Sequence, residues 1–272
     1  MRMSSGLAAA GVEAGIKNMD KKELLIIIPA YNEEKNIVKV LVQLEKQGIP
    51  EIADILVIDD ASSDDTGRIV RERQYEMITH IYNLGYGSAL QLGYKYAVRR
   101  NYQYVIQMDA DGQHDACNIP MIYEALKGKG ADAKKPDIVL GSRFMKDSLA
   151  FPVSLIKKAA YTMFHFLIRQ VTGKDITDPT TGLQGLNRKA FVYYSVYNHF
   201  DDKYPDANML MQMLLLGYRV EEIPAVMHTR ENGASMHSGL KPVWYMLRML
   251  FSMLAVVFRT KILRMDLSLE TK

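Results

Sequence analysis

Apolar residues along the chain fall into short uninterrupted runs separated by stretches with helical spacing. Residues 24–28, LLIII, are continuous and stop at Pro29, the pattern of a strand buried on both faces. Ile37, Val40, Leu41 and Leu44 then recur at intervals of three and four, and Asn32, Glu33 and Glu34 favour the start of that helix. DILVI at 54–58 predicts a second strand, and Thr66 to Arg73 a short helix. HIYNLGYGSAL carries the chain through a third strand into a helix over 87–100, and YVIQM at 104–108 predicts a fourth strand. DIVLGSR supplies another strand and loop. Residues 152–171 form an amphipathic helix with Leu155, Ile156, Ala159, Met163, Phe166 and Leu167 as its apolar members. DPTTGLQGLNR reads as a loop, and the segment from Tyr204 as a helix, a turn at Gly217 and a strand.

Strands alternating with helices predict an α/β fold, a mostly parallel sheet with helices on both faces. Ligands of such sheets bind beyond the carboxyl ends of the strands. PAYNEE, DDASSDD and DADGQHD all fall at that edge. No internal repeat and no long linker divides the 272 residues. The organisation expected is an unstructured leader over 1–20, one domain over 21–238 and a basic amphipathic helix over 239–272.

Charge changes this picture only at the C-terminal end. A net charge of +3 is too small to argue for nucleic-acid binding, and none is expected. Between Asn232 and Met265, however, there is no acid, while Lys241, Arg248, Arg259, Lys261 and Arg264 sit on an apolar background. That helix is expected to lie in a membrane interface beside anionic lipid, or to form a homo-oligomer contact. The helix at 152–171, with Lys157, Lys158 and Arg169, is its expected companion along a lipid-facing groove. MLFSMLAVVF at 249–258 falls well below the roughly 20 residues that span a bilayer. A small membrane-protein partner is the expected means of holding the chain at the bilayer. A single cysteine, Cys117, allows no internal disulfide, so the expected location is cytoplasmic, peripheral on the inner face of the cell membrane.

The candidate chemistry centres on MDADGQHD. Asp109 and Asp111 stand two apart after an apolar strand, with Gly112 permitting a tight turn, and such hard oxygen ligands suit Mg²⁺ or Mn²⁺. Gln113 adds a neutral supporting oxygen, Asp115 is expected as a helix N-cap, and His114 as a solvent-facing or hydrogen-bonded neighbour. NLGYGSAL has Gly85-x-Gly87 but Leu90 where a dinucleotide fingerprint needs a third glycine, and no phosphate loop of the GxxxxGK[ST] type occurs. Gly87 at a helix N-terminus permits close approach to a ligand, or is a plain strand-to-helix turn.

Taken in order, IPAYNEEKNI, VIDDASSDDT, NLGYGSAL, MDADGQHD, GSR and DPTTGLQGLNR resemble a family 2 glycosyltransferase of the GT-A type, closest in style to dolichyl- or polyprenyl-phosphate sugar synthases. The similarity runs over about residues 24–235. It implies a GT-A nucleotide-diphospho-sugar transferase fold in which Pro29, Ala30, Tyr31 and Glu33 hold the base and ribose of a nucleotide-sugar, with Asp60 and Asp59 on the base. Gly87 and Ala110 join that donor-binding set, and Asp109, Asp111 and Gln113 position the metal on the diphosphate. Sugar transfer then proceeds by direct displacement with inversion, from a UDP-sugar in preference to GDP-mannose.

Arg143 and Arg230 are candidates for anionic oxygens, and Arg230-x-x-Gly233-x-Ser235 resembles a loop closing over donor and acceptor phosphate. Asp206 in YPDAN stands where many relatives have a base for an acceptor hydroxyl; its alternative is a first-turn helix acid. A polyprenyl-phosphate acceptor needs no strong base, whereas a hydroxyl of a lipid-linked polysaccharide precursor does. A non-catalytic nucleotide-sugar-binding protein is the alternative of another class.

Overall fold

The computed structural model describes residues 22–128, 135–148, 155–230 and 241–263. The leader at 1–20, the loop with Gly233 and Ser235, the boundary at 238 and Arg264 lie outside these residues. The first half winds β1 (Leu24–Ala30), α1 (Ile37–Lys46), α2 (Ile49–Ile52), β2 (Ala53–Asp59), α3 (Thr66–Glu72), β3 (Glu76–Thr79), α4 (Tyr86–Arg99) and β4 (Tyr104–Gln107). The second half adds α5 (Asn118–Leu126), β5 (Ile138–Ser142), α6 (Leu155–Thr172), β6 (Gln184–Asn187), α7 (Arg188–Ser195), α8 (Ala207–Leu215), β7 (Val220–Pro224) and α9 (Lys241–Val257), which runs into a π-helical turn at Phe258–Ile262.

One seven-stranded sheet results, in the order β3-β2-β1-β4-β6-β5-β7. All seven β1 residues are buried, as an uninterrupted apolar run at the centre of a covered sheet requires. β1 pairs in parallel with β2 and β4, so Ala30, Asp59 and Gln107 end their strands at one edge. β6 alone runs antiparallel, between β4 and β5. Gln184, its first residue, therefore lies opposite Gln107, the last of β4. An antiparallel strand begins where its parallel neighbours end, so the segment before β6 arrives at the same edge as the three acidic loops.

β6 lies inside DPTTGLQGLNR, where a loop is expected, and α7 follows it at once. Four residues containing a glycine carry no readable period. The glycine is required by packing, since a Cβ on Gly185 would meet the Ile122 side chain at 2.2 Å. β3 precedes the expected HIY run because this edge strand is only half buried and shows no apolar block. In α6 the core face is Ala160, Phe164 and Ile168, with Ala159 and Phe166 exposed, one position round from the expected stripe. The inner face of α9 supplies Met249, Met253 and Val256 to the same core.

Gly87 has a structural cause. A Cβ there would stand 2.0 Å from the Asp201 carbonyl oxygen, and the Ser88 N–H donates to the Asp202 carbonyl at 2.9 Å. The close approach expected of a ligand is thus made by the chain's own backbone. Gly87→Ala is expected to cost about 2–4 kcal/mol of folding stability through overpacking against backbone, read as a lower urea midpoint with an unchanged m-value.

Candidate active site

The loops after β1 and β2 are joined to each other before they can meet a ligand. Asn32 donates its N–H to Ser62 Oγ at 2.9 Å and its side-chain oxygen accepts from Ser63 N at 2.8 Å, while Glu33 N donates to Thr66 Oγ1 at 2.8 Å. Pro29 and Ala30 end the buried strand, and Tyr31 is 48% exposed beside them. Asp59 is buried and accepts from Ser62 N at 3.0 Å. Asp60 is more fully committed: its two oxygens accept from Leu84 N at 2.9 Å and Gly85 N at 2.8 Å, and His80 Nδ1 lies 2.7 Å away. In this structure Asp60 ties the loop leading into α4 to the end of β2.

The turn after β4 places Asp109 on a small cavity of about 80 Å³, whose walls include Gln113, His114, Arg143, Thr180 and Gly182, and Asp111 follows two residues along the same turn. Ala110 between them is buried. Tyr86, the first residue of α4, donates its hydroxyl to Asp109 Oδ1 at 2.8 Å. Gly182 leaves the other oxygen room, since a Cβ there would come within 2.8 Å of Asp109 Oδ2. Asp111 Oδ1 accepts from Gln113 N at 3.0 Å, and its Oδ2 lies 3.6 Å from Arg230. Loss of solvation pushes both carboxyls above the ordinary carboxylate range, with each other's charge adding to it at Asp111.

His114 is a buried member of this wall, where a solvent-facing residue was one expectation. Its Nδ1 accepts the Asp109 backbone N–H at 3.0 Å, which leaves the ring proton on Nε2, 3.7 Å from Asp109 Oδ2. Burial pulls its pKa down to about 4, so the ring is neutral and the contact is not an ion pair. Asp115 is not the N-cap of α5; that position is Cys117, whose N–H Asp115 accepts at 2.9 Å. The second Asp115 oxygen meets His228 Nε2 at 2.7 Å, and His228 N donates to the Gln113 carbonyl at 2.8 Å. The loop after β7 is thereby sewn to the turn after β4.

Two arginines enter from opposite sides. Arg143, just beyond β5, meets Asp178 in a two-pronged pair at 2.7 Å for each bond, donates to Thr180 Oγ1 at 3.0 Å and lies over the rings of Phe144 and Tyr161. Asp178 is wholly buried and its segment is fixed from below, Glu222 accepting from Thr177 N and Asp178 N. Arg230 donates to Glu33 Oε1 at 2.8 Å and so bridges the β1 and β4 loops.

Asp206 precedes α8 but does not cap it with its side chain; Asn208 Oδ1 takes the Asp206 N–H instead, at 3.0 Å. The carboxylate accepts from the Tyr245 hydroxyl on α9, and burial, helped by the charge of Asp109, pushes its pKa up to about 6. Tyr86, Asp178 and Tyr245 went unread in the sequence. Tyr86 lay inside a glycine motif, Asp178 inside an expected loop, and Tyr245 on a helix assigned to the membrane.

Comparison with known proteins agrees with this architecture. Residues 25–194 match the family described as Glycosyl transferase family 2. The undecaprenyl-phosphate mannosyltransferase of Micrococcus luteus is 28% identical over 79% of this chain and 88% of its own. The dolichol-phosphate mannosyltransferase of Pyrococcus furiosus is 30% identical over 84% of this chain and 63% of its own. Among solved structures, glucosyl-3-phosphoglycerate synthase from Mycobacterium tuberculosis, in complex with Mn²⁺, UDP and phosphoglyceric acid, superimposes with a TM-score of 0.62 at 16% identity, covering 88% of this chain and 78% of that one. That likeness is one of fold. The matched family spans well over half of the chain, and the protein belongs to glycosyl transferase family 2 and is a glycosyltransferase with a GT-A fold.

Proposed function

We propose that this glycosyltransferase moves a hexose, with inversion, from a nucleotide-sugar to polyprenyl phosphate at the cytoplasmic face of a membrane. The observation that carries the reading is the meeting of Asp109 and Arg143 on one cavity at the sheet edge, with Asp111, two residues along the same turn, facing Arg230 at 3.6 Å. The two curated relatives, named for transfer to undecaprenyl and dolichol phosphate, support this acceptor class. A UDP-sugar is the favoured donor; since both relatives are named for mannose, GDP-mannose is the second to test.

The donor set fits Mg²⁺ or Mn²⁺. Asp109 and Asp111, helped by Gln113, would hold an ion that takes its remaining ligands from diphosphate oxygens and water. Among the described residues no group of three or more acidic, histidine or cysteine side chains is placed to hold a metal ion. When bound, such an ion neutralises charge on the departing diphosphate. Pro29, Ala30, Tyr31 and Glu33 flank the donor, with Asp59 and Asp60 behind the β2 loop. Arg143 and Arg230 orient anionic oxygens of acceptor and donor. One acceptor phosphate oxygen forms a bond to the anomeric carbon as its bond to the diphosphate breaks. No proton need be removed, because that oxygen is already ionised.

A hydroxyl acceptor is the second reading, favoured by one observation. Asp206 is a buried carboxyl poised at about 6 beside Asp109, the environment of a general base.

Membrane attachment rests on α9. Trp244, Leu247, Phe251, Leu254, Phe258 and Ile262 form an exposed apolar stripe at intervals of three and four. Among the described residues no helix is long and apolar enough to cross a membrane. The basic residues contribute less than their sequence suggests, since Arg248 lies over the Tyr204 ring and Lys261 donates to the Val171 carbonyl at 2.7 Å.

Asp109→Asn and Asp111→Asn are each expected to lower kcat/KM by about 10²-fold or more, measured as radiolabelled sugar transferred into organic-extractable lipid with and without Mn²⁺. Asp206→Asn separates the acceptors: near-normal transfer marks a phosphate acceptor, a loss of several orders of magnitude a hydroxyl. The same variant reports on stability. Between pH 3.8 and about 6 the folded chain holds an Asp206 proton that the unfolded chain releases, so this contribution is full below 3.8 and lost as pH rises through 6. Asp206→Asn should therefore be more stable than the parent by about 3 kcal/mol at pH 8, the difference fading toward pH 4 in urea titrations. Replacing Trp244 and Phe251 by Ser is expected to reduce co-sedimentation with phosphatidylglycerol vesicles at least several-fold, since two large apolar side chains no longer leave water.

A further inference from the structure

His114 lines the cavity at the sheet edge, yet the chemistry proposed above gives it no task. Its Nδ1 accepts the Asp109 backbone N–H at 3.0 Å, so the ring proton sits on Nε2, and a backbone bridge to Met227 holds the residue against the loop after β7. Among the described residues that Nε2–H has no hydrogen-bond acceptor, since Asp109 Oδ2, at 3.7 Å, is beyond reach. Nor is it sealed in. The buried side-chain polar atoms without a partner among the described residues are Gln43 Oε1, His199 Nδ1 and Arg259 Nε, so His114 Nε2 keeps accessible surface.

Asp109 presents the complementary atom. Its Oδ1 accepts the Tyr86 hydroxyl at 2.8 Å, whereas Oδ2 accepts no hydrogen bond among the described residues. Both free atoms border the space over Gly182, where a Cβ would stand 2.8 Å from Asp109 Oδ2 and 3.3 Å from His114 Cε1, the carbon beside Nε2. The missing side chain is the room in which a donor and an acceptor face one ligand. Thr181, in the same wall, spends its hydroxyl on the Gly141 carbonyl at 2.7 Å.

One N–H donor and one carboxylate acceptor 3.7 Å apart select what can lie between them. A hydroxyl oxygen about 2.8 Å from each accepts from Nε2 and donates to Oδ2 at the same time. A phosphate oxygen can accept but has no proton to give, and its charge would face that of Asp109. The volume of about 80 Å³ is well below the roughly 300–1,000 Å³ of a whole-ligand site, so the cavity takes one edge of a larger molecule. We propose that His114 is a sugar-binding residue whose Nε2–H, together with Asp109 Oδ2, reads one hydroxyl of the hexose being transferred. The inference rests on the donor being a nucleotide-sugar and not on the nature of the acceptor. An ionised carboxylate oxygen has two acceptor positions, so taking this hydroxyl leaves Asp109 able to help hold a cation. A sugar lacking that hydroxyl would leave both protein groups unmet, which is how such a pair discriminates.

The test compares nucleoside diphosphates with their sugars on full-length protein, with Mg²⁺ and without acceptor. UDP, UDP-glucose, UDP-N-acetylglucosamine, GDP and GDP-mannose are titrated against protein carrying ¹³C,¹⁵N-labelled histidine, with the His114 signals assigned through His114→Gln. At least one nucleotide-sugar is expected to displace the His114 ring signals well beyond its own diphosphate. In His114→Asn the side-chain oxygen can still accept the Asp109 N–H, but the donor at the Nε2 position is gone. The affinity of that nucleotide-sugar relative to its diphosphate is then expected to fall about three- to tenfold by calorimetry, with the variant melting within a few degrees of the parent. A histidine that only braces the turn would weaken both compounds alike. Equal displacement by diphosphate and nucleotide-sugar, or an unchanged affinity ratio in His114→Asn, overturns the proposal and leaves the donor reading standing. Failure of every nucleotide-sugar to bind overturns the donor reading and this inference with it. Should His114→Asn fail to fold, the 2-, 3-, 4- and 6-deoxy forms of the bound nucleotide-sugar decide on the parent protein: one is expected to bind about threefold or more weakly, and equal affinity throughout overturns the site.

Discussion

Four carboxylates, those of Glu33, Asp109, Asp111 and Asp206, gather at one end of a sheet where water is scarce, and the site exists only because cations are driven in among them. Burial is the largest influence on the pKa of each and raises it. Arg230 answers Glu33 and Asp111 directly, while Arg143 acts on Asp109 and Asp206 at longer range. Arg143 can stand there because Asp178, wholly buried, holds its guanidinium by two parallel bonds. A charge so held is costly to expose or to mispair, which makes the Arg143–Asp178 pair a fixed post around which the cavity is shaped.

That post is delivered by strand direction. With β6 running against its neighbours, Asp178 to Leu183 emerge beside the turn of Asp109. Gly182 and Gly185 allow the strand and its approach to press against Asp109 and α5 without a side chain in the way. A parallel strand in the same place would have sent this segment to the opposite edge of the sheet.

The C-terminal helix serves two surroundings at once. Tyr245 turns inward to Asp206, Met249 and Met253 enter the core, and Trp244 and Phe251 point outward. A helix repeat of 3.6 residues permits this division of faces. It also places the partner of Asp206 one residue from the most exposed aromatic of that stripe, so the outer surface and the acid share a rigid element.

Much of the wound half was legible in the sequence. Strands β1, β2 and β4 announced themselves because burial on both faces leaves only apolar choices, and a parallel sheet then dictates that their following loops converge. Asp109, Asp111 and Gln113 could be singled out because two carboxylates and an amide crowd one turn at the edge where those loops converge. Other assignments belonged to the tertiary structure. Whether a four-residue stretch such as QGLN pairs, and in which direction, depends on the gap its neighbours leave. Gly87 faces protein backbone, Asp60 is spent on the loop before α4, His114 is a buried neutral ring, and Tyr245 reaches Asp206 from another element. Periodicity determines what a segment buries; which polar groups meet across the fold is decided only when distant segments pack.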